Sequence, residues 1–543
     1  MTGPDTGGSP AGERAAAGEG AAAADAGAAA PEAVARGGFR SLLSPRRLRA
    51  LVAENRIFVL VLIPAALLRA DAELGYRWQA WFNDSFQYMA DVISMRADVT
   101  RVAGYAVFLK ILQPFHSYLL VTALQHLMGL AVAVMVYALA RHRFGVRPWV
   151  AALAAVPVLY DGFQIQLEHL LLSDVPFEFL ITLAVTLILW EPNPSWKRCA
   201  LVGLILGIAD TDRSVALPLL AIFAVYLIIH RIGWRSVLAT LAACVVPVLI
   251  YCSWFYVDYG QFAMTDSTGV FLYSRVMTFA ECSKMHVPVD ELSLCTTTPP
   301  AKRPIAQAYI WTNVSPLDRF PPTKFSPLPN QLAENFAERA ILAQPMGYLK
   351  AVAHDVEFTF HWKRTVFPNA ATYDEYLFGK HGLAVPPWAA KPYHGYSSQV
   401  AYYVHGNPQT KVVNPYAGII QAWQKYVWLP GTVYGVILLV GLGGVILAWR
   451  RWGGPALLPW TISVALILIP AATAEFDYRY VLPAVPFACL TAAMAFGNDS
   501  AARRWLAARR ARPAVAGGSG GDAGDAAKEL AGGESARGET AAS

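Results

Sequence analysis

Charge is scarce in this chain. Only 15% of its 543 residues are Asp, Glu, Lys or Arg, where soluble domains carry about a quarter, so an ordinary soluble enzyme is excluded. Phosphate-binding glycine loops are missing too. There is no P-loop and no dinucleotide fingerprint, which removes the common nucleotide-dependent folds. Cysteine is sparse, at six residues, with no CxxC spacing and no paired histidine, so the sequence names no metal-ligand set. An early apolar region is also lacking, because the first 35 residues are rich in Ala, Gly and Glu. No cleavable signal peptide is apparent, and the first membrane segment is expected to serve as an uncleaved anchor.

What the chain does have is apolar sequence. Hydrophobic residues make up 55% of it, mean hydropathy is +0.37, and apolar runs of about 20 residues recur, the length that crosses a hydrocarbon core. An all-α polytopic membrane protein follows. The net charge of +6 sits at the ends of these runs, where Lys and Arg set orientation, and does not point to nucleic acid.

Residues 1–38 read as a disordered cytoplasmic tail. Arg36, Arg40, Arg46, Arg47, Arg49 and Arg56 precede the first apolar run, Ile57–Leu68, so the N-terminus is expected inside. Further spans are expected at Ser117–Ala140, Pro148–Gln164, Leu170–Trp190, Cys199–Ile208, Val215–Ile229, Val237–Tyr256, Val427–Trp449, Ala456–Ala472 and Val481–Phe496. Even-numbered spans end in basic clusters, and residues 161–174 contain no Lys or Arg. About ten transmembrane helices with both termini cytoplasmic satisfy the charge pattern. The domains expected are a transmembrane core over 39–256, a mixed extracytoplasmic domain over 257–425, C-terminal spans over 426–500 and a cytoplasmic tail over 501–543. The first outer loop is expected to hold interfacial helices, among them the short apolar stretch Gly104–Leu112. Cys282 and Cys295 lie outside in this scheme, where a disulfide is expected. Cys199, Cys244, Cys252 and Cys489 lie in or beside apolar runs and are expected to pack as small hydrophobes.

Five polar clusters converge on the outer face. Asp84 sits among Trp78, Trp81, Phe82, Phe86 and Tyr88. It reads either as a solvated loop acid or as a partly desolvated base whose basicity burial raises. Arg101 reads as a snorkelling cation or as a phosphate ligand. Glu168, His169, Ser173 and Asp174 stand at the entrance of the fourth span. Glu168 and His169 are expected to meet a polar acceptor, and Ser173 or Asp174 to cap the helix. In Asp210-Thr-Asp212-Arg213, Arg213 is either a local partner of the acids or a ligand oriented by Asp212. Glu475-Phe-Asp-Tyr-Arg479-Tyr480 closes the set, with Arg479 requiring an anionic partner.

This order of Asn83-Asp84-Ser85, Arg101 to Leu109, Glu168 with Ser173-Asp174, Asp212-Arg213 and Arg479-Tyr480 with Pro483 resembles the C-type membrane glycosyltransferases that use polyprenyl-phosphate sugars. The protein O-mannosyltransferases and aminoarabinose transferases belong there, and the likeness is greatest to the actinobacterial branch. The resemblance covers residues 55–500. It implies Asp84 as general base, Arg101, Arg213 and Arg479 on the donor phosphate, inversion at the anomeric carbon, and a glycan, lipid or protein acceptor. Tyr88, Glu168, His169, Asp174, Asp212 and Tyr480 would bind substrate or support the site. A divalent metal is required in some branches only, and no cofactor is assigned. Many relatives follow the Asp with Glu, where this chain has Ser85. A transporter or flippase of a lipid-linked glycan is the alternative, although no internal repeat of the kind such proteins carry is apparent. An envelope sensor ranks last, for want of an output module.

Overall fold

The computed structural model describes residues 45–77, 80–381, 401–406, 410–449 and 454–497. The expected tails, Trp78 and the basic residues Arg450 and Arg451 lie outside the described residues. The chain divides into two compact units, Met1–Arg56 and Ile57–Ser543. In the first, the described residues form helix α1, Pro45–Glu54. The elements that follow belong to the second, save for Arg56 at the start of the next helix.

Each expected apolar run is helical. In order these are α2 (Arg56–Gly75), α5 (Tyr118–Ala138), α6 (Pro148–Tyr160), α8 (Asp174–Trp190), α9 (Trp196–Asp212), α10 (Ala216–Ile229), α11 (Trp234–Tyr259), α16 (Gly431–Leu447), α17 (Leu457–Thr473) and α18 (Val485–Met494). Between them lie α3 (Asn83–Ser94), α4 (Gly104–Leu112), α7 (Gly162–His169), α12 (Thr268–Val276), α13 (Pro327–Ala343), α14 (Pro345–Phe358) and α15 (Tyr416–Tyr426). The short stretch Gly104–Leu112 is a helix with those bounds.

Membrane-crossing length is less common than the sequence suggests. Among the described residues, three helical stretches are long and apolar enough to cross a bilayer: Tyr118–Arg143, Trp234–Tyr259 and Gly454–Thr473. Two bent pairs, α6 with α7 at 53° and α15 with α16 at 60°, raise the number to five if each is one span. The shortfall against ten has physical causes. Asp161 at the end of α6 accepts from Phe163 N at 2.8 Å and caps α7, which breaks that span. Helices α8 and α9 are 17 residues each, about 25 Å at 1.5 Å per residue. Helix α2 carries Arg69, Asp71 and Glu73 in its second half.

Beside a second apolar core that holds Trp81, Phe86 and Tyr105, the helices pack around a large one. Val132, Val136, Leu159, Ile181, Leu206 and Phe223 lie in it with almost no exposure. Helices α9 and α11 come close enough that only glycine fits at their crossing. A Cβ on Gly203 would fall 2.1 Å from the Thr240 carbonyl oxygen, and one on Gly207 2.4 Å from that of Cys244. Four-residue spacing of small residues gives such close helix contacts.

In the expected outer segment, residues 257–425, the described regular elements are helices, 3-10 turns and one two-residue strand, joined by irregular stretches such as 260–267 and 361–369. Helices α12 and α13 share a small core of Val270, Tyr273, Phe336 and Ala337, and Cys282 and Cys295 are joined by the expected disulfide. The other four cysteines are free and buried. Strand β1 (Tyr76–Arg77) pairs antiparallel with β2 (Lys411–Val412), Tyr76 opposite Val412. Ala80 bridges Leu170 in parallel. The run into Asp84 is thereby tied to both the outer segment and the start of α8.

Candidate active site

Helix α3 begins at Asn83, so Asp84 lies in its first turn, where an anion is stabilised by the helix dipole. Asp84 Oδ1 is 3.0 Å from Arg101 Nη2, and Oδ2 is 2.8 Å from Arg479 Nη1. Arg479 also donates from Nε to Asp477 Oδ2 at 3.0 Å and lies 3.9 Å from Asp174 Oδ2. Asp174, 1% exposed, pairs with Arg213. One continuous network thus joins Arg101, Asp84, Arg479, Asp174 and Arg213. The Arg101, Arg479 and Arg213 side chains keep 20%, 11% and 18% exposure.

Aromatic faces hold the arginines in place. Arg479 lies 4.6 Å over Phe82 and 5.2 Å over Tyr480. Arg213 lies 4.7 Å over Tyr480, and Arg101 5.4 Å over Trp311 of the outer segment. Such contacts favour cations by about 0.5–2 kcal/mol each. The Tyr88 hydroxyl and the Ser173 hydroxyl are hydrogen-bonded at 3.0 Å.

The charge state of Asp84 departs from the expectation of raised basicity. Burial pushes its carboxyl up, but Arg101 and Arg479 together outweigh burial and lower it from 3.8 to about 2. The aromatic setting is as expected where described; the sequence does not reveal that two guanidiniums close on the carboxylate. Glu375 behaves oppositely. Burial first, then the neighbouring Asp84 charge, lifts it to about 8, against the Asn83 N–H that donates to it at 3.1 Å.

Other expectations change in the structure. Ser173 makes no side-chain cap on α8; its hydroxyl is engaged with Tyr88 instead. Asp212 forms no ion pair with Arg213 among the described residues. Arg213 follows the end of α9 with extended backbone, which turns its side chain toward Asp174. Glu168 and His169 belong to another cluster. Both are fully buried, and Glu168 is bound by Arg69 and His126. Glu475 points into the outer segment, accepting from Gln307 N, beside the Arg275–Asp355 pair and a cavity of about 360 Å³.

No protein-family model and no curated protein sequence matches the chain. One partial structural likeness is found. It is to a chain of the S. cerevisiae protein O-mannosyltransferase Pmt1-Pmt2 complex bound to the sugar donor, at 17% identity and a TM-score of 0.32, covering 41% of this chain and 36% of that one. The matched region thus spans about a third of the yeast chain's length.

Three site residues were not singled out from the sequence. Asp477 stands within the acidic string before Arg479, which was the available signal. Tyr376, whose hydroxyl donates to Asp477, and Glu375 come from the outer segment, and no local pattern marks them.

Proposed function

We propose that the chain is a membrane glycosyltransferase that moves a sugar from a polyprenyl-phosphate carrier to an extracytoplasmic hydroxyl acceptor. In this reading the protein is a multi-pass membrane protein with both termini cytoplasmic, and Asp84 lies at the outer face. The observation that carries the reading is one carboxylate clamped between Arg101 and Arg479, with Arg213 next in the network.

Arginine binds phosphate through paired charge-assisted hydrogen bonds. A donor phosphate competes with Asp84 for Arg101 and Arg479. Once they turn to the phosphate, Asp84 loses the charges that hold its basicity down. The base therefore becomes competent only when the donor is bound. Asp84 then takes the proton of the acceptor hydroxyl, and the acceptor oxygen bonds to the anomeric carbon. The carbon–oxygen bond to phosphate breaks with its electron pair going to the phosphate, where the arginines stabilise the charge. A single displacement inverts the anomeric centre.

Purified protein in lipid nanodiscs, given a panel of radiolabelled polyprenyl-phosphate sugars, tests the reading. Release of polyprenyl phosphate from one donor, with sugar appearing on an added acceptor, is expected. Movement of intact donor across proteoliposome membranes without any covalent product would establish a transporter instead.

A further inference from the structure

Beside the proposed donor site, α2, α5 and α7 bring together a second polar cluster whose protons can be placed by partners alone. Glu168 is ionised, since Arg69 donates to its two oxygens from Nε and Nη2, each at 2.7 Å. The same carboxylate lies 2.8 Å from His126 Nδ1. An ionised carboxylate only accepts, so His126 carries its proton on Nδ1. His169 Nε2 lies 2.9 Å from the Tyr76 carbonyl oxygen, which also only accepts, so His169 carries its proton on Nε2. The two remaining nitrogens, His126 Nε2 and His169 Nδ1, face each other 3.2 Å apart. In neutral rings both present lone pairs, with no proton between them.

A third electron-pair donor joins them. Glu73 Oε1 is 3.8 Å from His126 Nε2. Both Glu73 oxygens are buried, with the Thr122 side chain in hydrogen-bonding reach. The three ligand atoms lie within 4.8 Å of one another. Three groups that can each offer a lone pair face one point, an arrangement that a cation would stabilise.

We infer that Glu73, His126 and His169 form a binding site for a divalent transition-metal ion of the zinc class. Zinc–nitrogen bonds of about 2.0–2.1 Å in tetrahedral geometry place two nitrogens about 3.3 Å apart, close to the spacing of the two imidazoles. The fourth position would be open to a water, as in three-ligand zinc sites. The outer N–H of each imidazole is already fixed, by a carboxylate and by a backbone carbonyl, the arrangement that orients metal-bound histidines. Gly129, one turn beyond His126, leaves the room this requires, since a Cβ there would fall 2.0 Å from Glu168 Oε1. A bound ion would pin the end of α2 to α5 and α7. Ala80 N–H donates to the His169 carbonyl at 3.0 Å, so the pin would also steady the approach to Asp84. Glu73, His126 and His169 thus gain a positioning role that is independent of whether the chain transfers sugar.

The full-length protein, purified without chelator and with any tag removed, should hold about one zinc per chain by elemental analysis. After stripping, added zinc should restore the ion and raise the melting temperature. Glu73→Gln and His169→Gln should each weaken zinc binding by at least about tenfold. Stripped wild type tests the site without depending on how either variant folds. Wild type with neither bound zinc nor a zinc-dependent rise in melting temperature overturns the inference. Zinc retained at full affinity in both variants also overturns it, because the ion would lie elsewhere.

Discussion

At Asp84 two opposing forces act on one carboxyl group. Burial favours the neutral acid, while Arg101 and Arg479 favour the anion and win, leaving it at about 2. In the proposed mechanism a base so suppressed at rest acts only once something anionic draws the arginines away, so donor binding would be the trigger. Glu375, beside it, holds a proton to about 8 because burial and the Asp84 charge both oppose ionisation. Its unfolded carboxyl titrates near 4.5, so between these values the folded state binds the extra proton. Stability should therefore be greatest below about pH 4.5 as far as this group is concerned, and fall as pH rises through about 8. Glu375→Gln should flatten that decline, which runs from about pH 4.5 to about 8. Melting temperatures of wild type and variant at pH 6 and pH 9 measure it, and an unchanged difference would contradict the assignment.

Helices supply the rigidity that holds such groups in register. The α9–α11 crossing depends on hydrogen side chains at 203 and 207, so Gly203→Ala must push the Thr240 backbone away. A destabilisation of about 1–3 kcal/mol is expected from overpacking of this kind, read as a lower melting temperature in detergent. An unchanged value would show that the helices slide apart freely. The elements themselves were legible, because apolar runs flanked by Arg or Pro can be little but helices. Their ends were less so. The kink at Asp161 arises from a cap inside an apolar run, and the extended backbone at Arg213 sends that side chain to Asp174 instead of Asp212. Both are single-residue geometries that periodicity does not record.

Across the whole molecule, the sequence revealed which charges gather at the ends of apolar runs and so brought Asp84, Arg101, Asp174, Arg213 and Arg479 into one set. It did not reveal pairings set by tertiary packing. Arg69 and Glu168 are 99 positions apart and His126 and Glu168 are 42 apart, and Glu375 reaches Asn83 from 292 positions away. The sidedness of the account is open to direct test. Cys282 and Cys295, paired in the outer segment, should react with a membrane-impermeant thiol reagent on intact cells only after external reduction. Labelling that requires broken cells would reverse the topology. The central claim, a donor-triggered base at Asp84, is met most directly by comparing wild type with Asp84→Asn for donor binding and polyprenyl-phosphate release in the same nanodisc preparation. The account predicts that Asp84→Asn retains donor binding, since the arginines remain, while acceptor-dependent release falls by about 10²–10⁴-fold. Release at the wild-type rate from Asp84→Asn would contradict it.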